Sequence, residues 1–153
     1  MTVFSSRMQL QTIGEILFRY ARLPFSSDIF PGTVIEAVIA HVHSGEILKT
    51  YDFVDVIKRE QHCGWQVKST KASTPVTWKR AKIPDRNLRI RESEDSERGL
   101  QRLGDAIINF CNAHVAESLS RYDLEKIGYA RLIVHENNEV NPSGLFGQFL
   151  GLL

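Results

Sequence analysis

Apolar residues recur at helical spacing in the first third of the chain. Ile13, Leu17 and Tyr20 lie on one side of a helix predicted over 8–21. A Ser/Pro-rich loop at 24–31 separates it from a second helix over 32–43, where Val34, Val38 and Val42 form a stripe with Ile35 and Ile39 beside it. Ser44-Gly45 ends that helix. The period then changes. Segments 46–49, 52–58 and 64–69 are short and rich in β-branched and aromatic residues, which predicts three strands, with 59–63 as a hairpin connection. Residues 70–91 read as a basic loop. The acids Glu92, Glu94, Asp95 and Glu97 introduce a helix over 97–120, with Leu100, Leu103, Ile107, Phe110 and Cys111 as its apolar face, because acid at a helix start suits the dipole. Residues 129–135, centred on Leu132, Ile133 and Val134, predict a last strand. The order α, α, β, β, β, α, β implies a mixed β-sheet flanked by helices, an α/β (α+β) fold. The tail 137–153 is apolar but glycine-punctuated, and reads as a terminal helix or the edge of a truncated chain.

At 153 residues, 42% hydrophobic, the chain is expected to form one domain over 1–153 with one core. Nineteen basic and eighteen acidic residues leave a net charge of +1, so any polyanion site must be local. Two cysteines give no disulfide framework. No apolar run is long enough for a membrane span, and the first fifteen residues lack a signal peptide's core, so a cytoplasmic protein with no membrane partner is expected.

The chemistry concentrates in YDFVDVIKREQHCGWQVKST, residues 51–70. Gln66 and Lys68 lie two apart on a predicted strand and share a face. Asp52 and Asp55 lie one hairpin strand upstream and, three apart, point to opposite faces of a regular strand. Burying such unpaired polar and charged groups is costly, which points to a metal or phosphate partner. Taken singly, Lys68 is an edge-strand lysine, Gln66 a satisfied polar residue and Glu36 a solvated helix residue. Their combination is what carries the argument. His41 and His43, two apart on a helix, do not face one another and make a poor metal pair.

This arrangement resembles the PD-(D/E)xK nucleases. GWQVKS is similar to their catalytic strand, with Gln66 in the acidic position, and DFVD resembles the D-x-V-D opening of some type II restriction enzymes, in which the first Asp matches Asp52. Asp55 is the runner-up, because it would leave its strand only two or three residues. The resemblance covers 32–135 and implies a restriction-endonuclease-like core, αβββαβ. Pro84-Asp85 follows the Lys strand instead of preceding it and is a decoy. The resemblance implies Mg²⁺, replaceable by Mn²⁺, on Asp52, Gln66, the Val67 carbonyl and Glu36, with Glu15 a weaker alternative to Glu36, and Lys68 as the catalytic lysine. It further implies a metal-dependent endonuclease on double-stranded DNA, restriction-type and homodimeric. Neutral Gln66 departs from the pattern and leaves open a non-catalytic DNA-binding or assembly module. A structure-selective repair nuclease is a third reading.

From Lys68 to Arg91 there are eight basic residues and one acid, a local net of +7 in a near-neutral chain. Ser69, Lys71, Thr74, Trp78, Lys79, Arg80 and Lys82 are the expected DNA contacts, through charge, hydroxyl donors and one flat ring.

Overall fold

The computed structural model describes residues 3–24, 30–49, 52–71 and 82–134. Helix α1 spans Arg7–Ala21 and starts with a capping box: Ser6 Oγ accepts from Gln9 N at 3.2 Å, and Gln9 Oε1 accepts from Ser6 N at 2.8 Å. Helix α2 spans Gly32–His43 and ends where Ser44 turns left-handed, at φ 54°. Strand β1 is Glu46–Ile47 and β2 is Val56–Lys58; a 3-10 turn at Arg59–Gln61 leads into β3, Cys63–Lys71. Helix α3 spans Arg86–Asp95, α4 spans Glu97–Tyr122, and β4 is Lys126–Val134.

The strands form one mixed sheet in the order β1-β2-β3-β4, antiparallel except for the parallel β3–β4 pair. A mixed sheet with helices is therefore the architecture. Three expectations need correction. The strand expected over 52–58 begins only at Val56, because residues 52–55 bend and pair irregularly. Residues 86–95 form α3 where a loop was expected. Glu92, Glu94 and Asp95 belong to that helix, and Ser96 breaks it and accepts from Gly99 N at 3.0 Å to cap α4. The expected apolar face of α4 is not a buried face either, since Leu100 is 58% and Ile107 39% exposed, while Cys111 is buried.

The chain falls into two compact units, Met1–Val76 with Leu119–Leu153, and Thr77–Ser118. In the first unit, α1 and α2 bury Ile13, Leu17, Ile35, Val38 and Ile39 against Cys63, Trp65 and Val67 of β3 and Ala130 and Leu132 of β4. Trp65 is the wedge of this core. Its indole N–H donates to the Val3 carbonyl at 2.8 Å, and its ring lies 4.5 Å from the ring of buried His43. Burial holds the His43 imidazole below the usual histidine range. Gly128 makes room for the indole: a Cβ there would stand 3.0 Å from Trp65 Cδ1 and 3.2 Å from Val3 Cβ.

Candidate functional site

Strand β3 positions the chemistry. Its alternation sends Trp65 and Val67 into the helix-covered core and Gln66, Lys68 and Thr70 to the other face. Gln66 is 3% exposed, and its Oε1 has no hydrogen-bond partner among the described residues. Lys68 is half-buried.

Strand β2 reaches only as far as Val56, opposite Trp65. Beyond that point Asp55 continues the ladder with its own groups. Its N–H donates to the Trp65 carbonyl at 2.9 Å, and its carboxylate Oδ2 accepts from the Val67 N–H at 2.7 Å. A carboxylate thus satisfies a backbone donor that the shortened strand leaves over. Gln66 lies between the two residues that Asp55 holds. A strand residue's N–H and carbonyl point to the same edge, so the Val67 carbonyl also faces the Asp55 side.

Glu36 enters from α2. Burial raises its carboxyl above the usual carboxylate range, the nearby negative charge of Asp55 adds to that, and Lys68 opposes it. Glu36, Asp55 and Lys68 therefore form one electrostatically coupled group. Asp52 is placed differently. Its Oδ1 accepts from Arg121 Nη1 at 2.7 Å, and its Oδ2 accepts the Tyr122 hydroxyl. That contact fastens the bend before β2 to the end of α4. The reason for preferring Asp52, that Asp55 would leave a strand of two or three residues, does not hold, since β2 has three.

Two residues that the sequence reading passed over stand across from Gln66 and Lys68 on β4. The parallel register sets Tyr129 beside Gln66 and Arg131 beside Lys68, and paired residues in neighbouring strands share a face. The Tyr129 hydroxyl is buried without a hydrogen-bond partner among the described residues. Burial raises its phenol above the usual range, partly offset by Arg131. Arg131 Nε donates to Thr70 Oγ1 at 3.0 Å. The alternation of Tyr129 and Arg131 with Gly128, Ala130 and Leu132 was the signal that could have found them.

Of the expected DNA contacts, Ser69 is half-buried on β3 and Lys82 is exposed. Thr74, Trp78, Lys79, Arg80 and the side chain of Lys71 lie outside the described residues. Glu15 lies on α1, where its carboxylate accepts from Gln11 Nε2 at 3.2 Å. Among the described residues no three His, Cys, Asp or Glu side chains cluster closely enough to hold a metal, and no helix is long and apolar enough to cross a membrane.

The donor set suits a hard, hydrated cation better than zinc. It offers carboxylate, amide and carbonyl oxygens, with no thiolate or imidazole among them, and Mg²⁺ takes one or two carboxylates while keeping several waters. The buried Gln66 Oε1 is an acceptor of the right kind, without a partner among the described residues. No protein-family model, curated protein or solved structure gives a match to this chain.

Proposed function

We propose that the chain is a Mg²⁺-dependent DNA endonuclease with a restriction-endonuclease-like core, in which Asp55 takes the role the sequence motif first gave to Asp52. The observation that carries this reading is the Asp55 carboxylate bonded to the Val67 N–H, next to buried Gln66 and coupled to Glu36 and Lys68. Asp55, Gln66 Oε1 and the Val67 carbonyl would hold the ion, with Glu36 reaching it through water. Bound there, Mg²⁺ supplies a Lewis acid and an acidified water. Lys68, half-buried on the same strand, orients the attacking water and neutralises charge that builds on the phosphate. Burial and Asp55 raise the Glu36 carboxyl above the usual carboxylate range, and a bound cation would favour its ionised form. The basic segment grips the duplex backbone, and a two-fold homodimer would match a palindromic site.

The test is cleavage of supercoiled plasmid in Mg²⁺ by the wild type, Asp55→Asn, Asp52→Asn and Lys68→Ala. Cleavage is expected to be lost in Asp55→Asn and Lys68→Ala and kept in Asp52→Asn. Loss in Asp52→Asn alone would return the metal to Asp52. A wild type that binds duplex DNA without cutting it favours the second reading, a non-catalytic DNA-binding module. That reading draws on neutral Gln66 and on the absence of a three-ligand cluster among the described residues.

A further inference from the structure

The face of the β3–β4 pair that carries Gln66 changes character along its length. At one end it is apolar, with Ile57, Gly64, Leu124 and Ile127 buried. At the other it is half-exposed and basic, with Lys68 and Arg131 side by side. Gln66 and Tyr129 lie at the junction. One is an amide oxygen able only to accept, and the other a hydroxyl able to donate. They are direct register partners on one face, yet the Gln66 Oε1 and the Tyr129 hydroxyl are both buried atoms with no hydrogen-bond partner among the described residues, Tyr129 itself being half-buried. Leaving both unpaired costs the desolvation of two polar groups, and paired residues with complementary chemistry would ordinarily satisfy one another. A third group within reach of both, accepting from Tyr129 and bound by Gln66, would resolve both. A hydrated divalent cation has that character: Gln66 Oε1 would ligate the ion, and the Tyr129 hydroxyl would donate a hydrogen bond to one of the ion's water or phosphate oxygens.

We propose that Tyr129 is a binding residue of the cation site, its hydroxyl donating to an oxygen held by the metal, with Gln66 as the ligand across the register. This rests on the cation reading of the site above, and adds to it a strand and a residue that the motif does not contain. Arg131, beside Lys68 and steadied by Thr70, continues the same strip towards the phosphate.

The experiment is calorimetric titration of Mn²⁺ into the full chain, wild type against Tyr129→Phe, with a thermal melt of each protein free of metal. Removing an unsatisfied buried hydroxyl is expected to leave the metal-free melting temperature equal to or above that of the wild type. The Mn²⁺ affinity is expected to fall about three- to ten-fold, as for loss of one hydrogen bond. Unchanged affinity in Tyr129→Phe, or a wild type that binds no Mn²⁺, overturns the proposal. Should the variant fail to fold, wild-type protein with ¹³C-labelled tyrosine serves instead: Mg²⁺ must shift the Tyr129 ring resonance, and an unmoved resonance overturns the proposal. Plasmid cleavage keeps the two readings apart. A wild type that binds Mn²⁺ through Tyr129 but cuts nothing defeats only the endonuclease assignment. A wild type that cuts while Tyr129→Phe binds Mn²⁺ normally defeats only the role of Tyr129.

Discussion

The two faces of the β3–β4 pair are built from the same eighteen backbone positions and are put to opposite uses. One presents Cys63, Trp65, Val67, Gly128, Ala130 and Leu132, all buried against helices. The other presents Gln66, Lys68, Thr70, Tyr129 and Arg131, with two buried polar atoms that have no hydrogen-bond partner among the described residues. Stability on the first face comes from removing apolar surface from water. The second face gives up part of that gain to keep polar groups ready, a pattern expected where a site needs preorganised donors and acceptors.

The largest effect should come from attacking the apolar face. Trp65→Ala removes the wedge and orphans the Val3 carbonyl, and is expected to cost about 3–5 kcal/mol in urea denaturation. Gln66→Leu, one residue away, should be neutral or slightly stabilising, because an unsatisfied acceptor disappears. If the two substitutions cost the same, the contrast between the faces is wrong.

Asp55→Ala comes next. It leaves the Val67 N–H unpaired and should cost about 1–3 kcal/mol, whereas Asp55→Asn keeps an acceptor and should cost less. Equal losses in the two variants would mean that charge, and not the hydrogen bond, holds the end of β2. Asp52→Asn should cost only about 1 kcal/mol in the same assay, because its partner Arg121 is about half exposed and solvent screens the pair. A larger loss than that of Asp55→Ala would make the Asp52 contact the main support of this region.

The smallest effect is a pH slope. The Glu36 carboxyl is raised in the folded protein, so the folded state binds more protons than the unfolded one between the ordinary carboxylate range and the raised value. Stability should therefore fall as pH rises through that window, with the full penalty present above it. Glu36→Gln removes the penalty, so melting curves of the variant should gain on the wild type as pH rises above the ordinary carboxylate range. Parallel curves across that range would show that Glu36 ionises as freely folded as unfolded.

The helices α1 and α2 and the run of β3 were legible because each carries a strong period, or a cap and a break. The shared face of Gln66 and Lys68 on β3 followed from alternation alone. The choice between Asp52 and Asp55 did not. It depends on where β2 stops pairing, and a side chain that mimics a ladder bond leaves no periodic trace. Arg121 and Tyr122, the partners of Asp52, lie 69 and 70 positions away, beyond the reach of local pattern. Helix α3 was hidden because its exposed, highly charged sequence has hardly any apolar side.

The parallel pairing has a consequence for how the protein is made. Cys63 meets Lys126 and Lys71 meets Val134, so every register pair of the longest ladder joins residues 63 positions apart. Contacts of such long range are slow to form, because loop closure precedes any gain from pairing. While the chain is being synthesised, β3 must wait with one edge open and Trp65 and Val67 incompletely covered. An unpaired strand of that kind invites pairing with another chain. Yield on expression should therefore depend on growth temperature and chaperone supply more steeply than the stability of the finished fold would indicate.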